Sequence, residues 1–202
     1  MTENFENPAG YDTSVTETSG TPAPNTATTG LSLEASECLY ITAEAGSEEV
    51  YTEFTATDTA YAFFMMRVEN TPTSAGRTMF RWAETGGTTC SEMAPDIGPL
   101  QAHIYSSGED QNDAGTTTIA ADTTYFCWFE YQRGSGANCQ IRFFISTTTT
   151  KPGTPECEIT TANDTAQVGR LYLGINWAGG AGDIYYDKVR ISRTTAFGSN
   201  PS

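Results

Sequence analysis

The chain has 202 residues, 25 of them acidic and 10 basic, for a formal net charge of -15. That balance excludes a phosphate-gripping role, because a nucleic-acid binder needs a Lys/Arg footprint, and lysine occurs only as Lys151 and Lys188. Aromatic residues at 11%, gathered in compact runs, exclude a wholly disordered chain, and no window approaches the ~18–20 apolar residues of a membrane span.

The N-terminus reads MTENFENPAGYD, with neither a basic n-region nor an apolar h-region, so it is not a secretory signal. The expectation is a mature chain freed of its signal, or a protein that leaves a cell by another route, such as inside a virus particle. Residues 12–30 are rich in Thr, Pro and Gly with Val15 as the one clear hydrophobe, which reads as a long loop or extended arm. Residues 1–30 are therefore an N-terminal strand and arm, and residues 31–202 a single folded domain.

From Leu31 the pattern changes to short runs of period two. Leu39 and Ile41 alternate in the first. Val50, Thr52 and Phe54 then oppose Tyr51 and Glu53. AYAFFMMRVEN is a strong strand ended by TPTSAG, and RTMFRWAET is another ended by Gly86-Gly87. LQAHIYS and TTTIAA follow. YFCWFEYQRGSGANCQIRFFIS is the clearest hairpin, two aromatic runs around a Gly-bearing polar loop. RLYLGIN and DIYYDKVRIS close the series. No segment carries a 3.6-residue period, and β-branched and aromatic residues dominate the runs. The fold class is all-β: an antiparallel β-sandwich of about 10–13 strands.

Five cysteines, Cys38, Cys90, Cys127, Cys139 and Cys157, leave at least one thiol unpaired within a chain. No CxxC or His-Cys spacing suggests zinc. They read as small buried hydrophobes, with one or two disulfides as the alternative for an extracellular protein.

In a sandwich each strand alternates core and outside. Cys127, Phe129 and Tyr131 share a face, as do Ile141, Phe143 and Ile145, and Ala62, Phe64, Met66 and Val68. These rows are the expected core. The opposite rows mix large aromatics with charge: Trp128 and Glu130, Arg142 and Phe144, and Tyr61, Phe63, Met65 and Arg67. Such a face needs a cover. The chain's own loops (the 12–30 arm among them), a partner subunit and a sugar-stacking groove are the three readings. In the last, aromatic rings stack on sugar faces while Arg and Glu orient hydroxyls.

The ordered set TGLSLEA, VYTEFTATDTAYAFFMMRVENTPTSAGRTMFRW, TTYFCWFEYQRGSGANCQIRFFIS and VGRLYLGINWAGGAGDIYYDKVRIS resembles the laminin-G-like, concanavalin A-like jelly roll of lectins and glucanases. The resemblance spans roughly residues 30–193 and implies a fold, since this architecture hosts lectins, adhesins, hydrolases, lyases and virion proteins. It implies a structural calcium held by Glu6 and Asp187, with Asn4, Asn7 and Asp183 as further oxygen donors. It also implies that a loop aromatic such as Trp177 stacks on sugar. The E-x-D-x-x-E strand of glucanases is absent. Gln101-Ala102-His103 and Tyr172 echo two motifs of alginate lyases, without the accompanying Arg pattern. No GxSxG elbow, P-loop or GxGxxG is present.

The resulting expectation is a non-catalytic surface or structural protein, most simply a virion-surface protein such as a phage capsid decoration or tail-associated protein. Its partners are other virion or surface subunits, in an oligomer or on a particle, with glycans as a further contact. No nucleic acid and no membrane insertion is expected, and the location is a virion surface or extracellular. The ligand candidates are Trp128, Glu130, Arg142, Phe144, Tyr61, Phe63, Arg67 and Trp177, with no catalytic residue. A secreted carbohydrate-binding module is the alternative, and a polysaccharide lyase or hydrolase a third reading.

Overall fold

The structure, a computed structural model, describes residues 2–3, 15–19, 23–26, 37–41, 48–69, 78–94, 100–106, 111–175 and 183–199. Fifteen strands follow in chain order: β1 (Thr2–Glu3), β2 (Val15–Ser19), β3 (Ala23–Thr26), β4 (Glu37–Ile41), β5 (Glu48–Thr57), β6 (Thr59–Val68), β7 (Phe80–Ala83), β8 (Thr89–Met93), β9 (Gln101–Ser106), β10 (Asn112–Thr118), β11 (Thr123–Gln132), β12 (Cys139–Ser146), β13 (Cys157–Ala162), β14 (Val168–Ile175) and β15 (Ile184–Ser192). They form two antiparallel sheets. The first runs β13-β12-β11-β6-β15-β4-β3, with β1 also paired to β15; the second runs β10-β9-β8-β7-β14-β5-β2. This is the antiparallel sandwich expected from the alternation, in the jelly-roll form that the resemblance implies.

The core rows are those read from the sequence. Ala62, Phe64, Met66 and Val68 of β6, Cys127, Phe129 and Tyr131 of β11, and Ile141, Phe143 and Ile145 of β12 all lie in one buried cluster. The second sheet supplies Phe80, Trp82, Ile104, Leu171 and Leu173 to the same cluster. Its centre is a set of aromatic edges. Phe80 meets Phe64 at 4.8 Å and 68° and Phe129 at 5.2 Å and 68°, the tilted geometry that ring quadrupoles favour. The β11–β12 hairpin turns through residues 133–138, with Gly136 and Ala137 at positive φ, as the RGSGAN loop anticipated.

Of the two readings of the arm, a loop or an extended segment, the second holds for two stretches. Val15–Ser19 pairs with β5 and Ala23–Thr26 pairs with β4, so it adds an edge strand to each sheet. Pro24 is tolerated because an edge strand has one side with no ladder to donate to. In β15 the inward residues are Ile184 and Tyr186, then Val189 and Ile191. The step of three is a bulge: register shifts between Asp187 and Arg190, and Lys188 takes φ 50°.

All five cysteines are buried, and Cys90, Cys127, Cys139 and Cys157 are free thiols. Burial pushes the Cys139 and Cys157 thiols up to about 12, which keeps them unreactive.

Candidate functional site

The outer face of the first sheet carries most of the residues singled out from the sequence. Phe63, Met65, Trp128 and Phe144 form a second apolar cluster there, and Phe126 and Phe197 pack against it. Strand pairing explains the grouping, since Trp128 stands opposite Phe63 on one side and Phe144 on the other. The cover is the C-terminal segment. Trp128 Nε1 donates to the Gly198 carbonyl at 3.1 Å. The Lys151 amide donates to Ser199 Oγ at 2.9 Å, and its ammonium sits 4.1 Å above the Phe144 ring. Trp128 is 1% exposed and Phe63 2%. The sugar-stacking role expected of Trp128, Phe63 and Phe144 is therefore corrected: Phe197 occupies the space a sugar ring would need.

The remaining candidates on this face are tied down. Glu130 is paired with Lys151 at 2.5 Å, Arg142 with Glu158 at 2.5 Å and Arg67 with Asp122 at 3.1 Å. Tyr61, Glu130 and Arg142 line a cleft with Gln132 and Gln140 of about 30 Å³, room for about one water rather than a sugar. Trp177, Glu6, Asn4 and Asn7 lie outside the described residues.

Asp187 is 1% exposed, and its Oδ1 accepts from the Lys188 amide at 2.6 Å within the bulge. Thr2 and Glu3 pair with Arg190 and Val189, which runs the N-terminus beside the strand that carries Asp187. Asp183 Oδ1 accepts from Tyr40 at 3.0 Å. Burial and that bond push the Tyr40 phenol up to about 12. Among the described residues no group of three or more His, Cys, Asp or Glu is arranged to hold a metal.

The outer face of the second sheet holds a different arrangement. Strand register places one outward residue from each strand in a single row. Asn112 (β10) is opposite Tyr105 (β9), Tyr105 opposite Glu92 (β8), and Glu92 opposite Arg81 (β7). Arg81 is opposite Tyr172 (β14), and Tyr172 opposite Tyr51 (β5). From Tyr105 to Tyr51 is four strand steps, about 19 Å at ~4.8 Å per step. The row is an aromatic at each end and charge between.

Its parts hold one another rigidly. Arg81 lies with its guanidinium 3.7 Å over the Tyr172 ring and grips both oxygens of Glu49, at 3.0 and 3.1 Å. Arg170 stands 4.3 Å over the Tyr51 ring and bonds Glu53 and the Tyr172 hydroxyl. Tyr51 and Tyr172 are themselves tilted together at 5.0 Å. Gly87 closes over this end; a Cβ there would come within 3.3 Å of the Tyr172 hydroxyl, and its φ of 92° suits glycine. At the other end His103 stacks on Tyr105 at 4.5 Å. His103 also bonds through both ring nitrogens. Nε2–H donates to Asn112 Oδ1 at 2.9 Å, and the Tyr105 hydroxyl donates to Nδ1 at 3.1 Å. Glu92 Oε2 accepts from Thr78 at 2.7 Å.

Buried Tyr172 and Arg81 act as the floor, while Tyr51, Tyr105, His103 and Glu92 are half-exposed. Such a surface offers two ring faces and fixed polar groups between them, the composition of a carbohydrate platform. Sequence reasoning set Tyr51 and Glu53 outward and noted His103 and Tyr172, but did not join them. The joining signal is the register among five strands, which alternation along one strand does not contain.

No protein-family model and no curated protein matches the sequence. Solved structures do match in fold. Cip1, a cellulose-induced protein, superposes with a TM-score of 0.64 at 15% identity, over 98% of this chain and 99% of that one. Domain 4 of AbnA, an extracellular arabinanase from Geobacillus stearothermophilus solved with arabinotriose, gives 0.58 at 14% identity over 98% and 91%. An endo-β-1,4-glucuronan lyase from Trichoderma reesei gives 0.58 at 12% identity over 95% and 92%. They share the concanavalin A-like jelly roll that the ordered strands resemble.

Proposed function

We propose that this protein is a non-catalytic glycan-binding module that seats an oligosaccharide across the outer face of the second sheet. The observation that carries this is the single row Tyr105–Glu92–Arg81–Tyr172–Tyr51, with ring faces about 19 Å apart by strand spacing. Rings held by neighbours lose little entropy when a sugar stacks on them. The likeness in fold to an arabinanase domain solved with arabinotriose supports the same reading.

Binding without reaction is supported by how the ionisable groups are used. A glycosidase needs two carboxyl groups poised across the bond, one of them able to give a proton. Here Glu49 and Glu53 are held by arginines, and Glu92 accepts from Thr78. His103 is engaged at both ring nitrogens. We place the module outside a cell, free or on a virion surface, where a net charge of -15 keeps a copy-rich protein soluble. A structural calcium at Glu6 and Asp187 belongs to the same proposal, supported by the pairing of β1 with β15. EDTA is then expected to lower the melting temperature of wild type but not of Asp187→Asn, by loss of mass-action stabilisation; an unchanged wild-type melt removes the site.

The test of binding is calorimetry against an oligosaccharide panel. Tyr51→Ala and Tyr105→Ala should each weaken binding roughly 10-fold or more, the scale of one lost stacking contact. Trp128→Phe, which touches only the covered face, should leave it unchanged. If both tyrosine variants fold and bind as well as wild type, the platform is elsewhere.

A further inference from the structure

Resting on the glycan-binding reading above, we infer that the ligand is an uncharged glycan, and that the second-sheet face is built against polyuronates.

A uronate carboxylate is recognised by a guanidinium that offers two parallel N–H groups. Arg81 has no such pair to offer. Of its five N–H donors, Nε and one on Nη2 go to the two oxygens of Glu49, and the two on Nη1 go to the Gly87 carbonyl at 3.1 Å and Thr89 Oγ1 at 2.9 Å. The remaining N–H stands alone, and the guanidinium plane lies flat on Tyr172. Its side chain is 9% exposed and that of Glu49 5%, so the pair is sealed from a ligand.

Arg170 is the other cation of this face, and it is spent in the same way. Nε and Nη2 both reach Glu53 Oε2, at 2.8 and 2.7 Å, and Nη1 donates to the Tyr172 hydroxyl at 3.1 Å. Each arginine is thus neutralised by its own glutamate. Glu92 stands opposite Arg81 in the row, but that guanidinium is taken by Glu49, and the bond Glu92 itself accepts comes from the Thr78 hydroxyl. Among the described residues of the face, Glu49, Glu53 and Glu92 against Arg81 and Arg170 leave one more negative charge than positive, at its middle, where a bound chain would cross. A carboxylate in each sugar residue would meet Glu92 without a cation to offset it, whereas a sugar hydroxyl can donate to it. Carboxylate acceptors between aromatic rings therefore select hydroxyls over acids, and the remaining charge of the chain acts in the same direction.

The experiment is calorimetry of the full chain against three sets of oligosaccharides of matched length: cello-, xylo- and arabino-oligosaccharides as the uncharged set, alginate and glucuronan oligosaccharides as the anionic set, and chitosan oligosaccharides as the cationic set. Each is run in low salt and at ~1 M, where the Debye length falls to about 3 Å. Binding that survives ~1 M salt is expected in the uncharged set alone, with affinity unchanged within about 2-fold by salt, while chitosan is expected to show only a general attraction to the negative chain that ~1 M salt removes. Glu53→Gln, which frees Arg170 at the exposed rim, is expected to add weak, salt-sensitive binding of alginate. Tighter binding of the anionic set by wild type, or chitosan binding that persists at ~1 M salt, overturns the inference while leaving a glycan-binding protein. Binding of no set overturns the glycan reading itself, and this inference with it.

Discussion

The buried pair Glu49–Arg81 gives a sharp test of how the second-sheet face is held. Both side chains are over nine-tenths buried and joined through two bonds of 3.0 and 3.1 Å. Glu49→Gln keeps the shape but leaves a guanidinium charge in a poorly solvated place, which costs about 3–5 kcal/mol. Arg81→Met leaves the carboxylate instead and should cost a similar amount. Replacing both, as Glu49→Gln with Arg81→Met, removes the charge problem. What is then lost is two hydrogen bonds to Gly87 and Thr89, ~1 kcal/mol each, and the stack on Tyr172, ~1 kcal/mol, so the double variant should cost about 3 kcal/mol. The singles therefore do not add, and the coupling energy should reach at least ~2–3 kcal/mol. Urea unfolding by linear extrapolation measures it, and a domain stability of ~5–15 kcal/mol leaves room for the singles. Additivity within ~0.5 kcal/mol, or a Glu49→Gln cost under ~1 kcal/mol, would show that the pair relaxes into solvent and would refute the rigid-floor reasoning.

Three further outcomes are expected. Phe197→Ala should cost ~1–2 kcal/mol, less than the ~3–5 of a fully buried Phe, and should raise quenching of Trp128 fluorescence by iodide; unchanged quenching would mean the C-terminal segment does not cover that ring. Burial opposes ionisation of Glu156, but the amides of Thr117 and Thr116 and the Thr117 hydroxyl outweigh it and hold the carboxyl below its ordinary range. A carboxyl lowered in the folded state stabilises above its unfolded pKa of ~4.3 and loses that contribution as pH falls through the folded value. The stability gap between wild type and Glu156→Gln should thus be widest near neutral pH and narrow in acid, and a gap constant down to pH ~3 contradicts the linkage. Cys90, Cys127, Cys139 and Cys157, buried free thiols, should resist iodoacetamide in the native state and react once urea unfolds the chain; a thiol labelled quickly without denaturant would mark a strand that opens locally.

Much of the fold is visible in residue order because a sandwich writes its faces at period two. The core rows of β6, β11 and β12 could be read directly, and so could the loop of their hairpin. The strands that escaped, β8 with Thr89–Met93 and β13 with Cys157–Ala162, each bury a single large apolar residue, Met93 and Ile159, among the small Cys90, Ser91, Cys157 and Ala162, so their alternation is weak in the sequence. The edge strands of the arm escaped for a related reason: an edge has little to bury, and Pro24 argues against a strand until the edge position is known. The β15 bulge was present as the step from Tyr186 to Val189, a spacing of three in a run otherwise of two.

Which outward face meets a ligand is a different kind of fact. Alternation says that Trp128 and Tyr51 both point away from the core, and by composition the Trp128 row is the more aromatic of the two. It is closed because Phe197 and Gly198, about 70 residues further along the chain, return across it and satisfy its one polar atom, Trp128 Nε1. The Tyr51 row is held differently: Tyr172 and Tyr51 are each paired with an arginine that is itself paired with a glutamate, and Tyr105 stacks on His103. A row of bare aromatics needs an apolar lid, whereas a row whose rings alternate with neutralised charges tolerates water. Arg and Glu at alternate positions beside tyrosines, as in Glu49–Tyr51–Glu53 and Arg170–Tyr172, are thus the local mark of an outward row that stays open, and uninterrupted rings as in Phe126–Trp128 opposite Phe63 and Met65 are the mark of one that is covered.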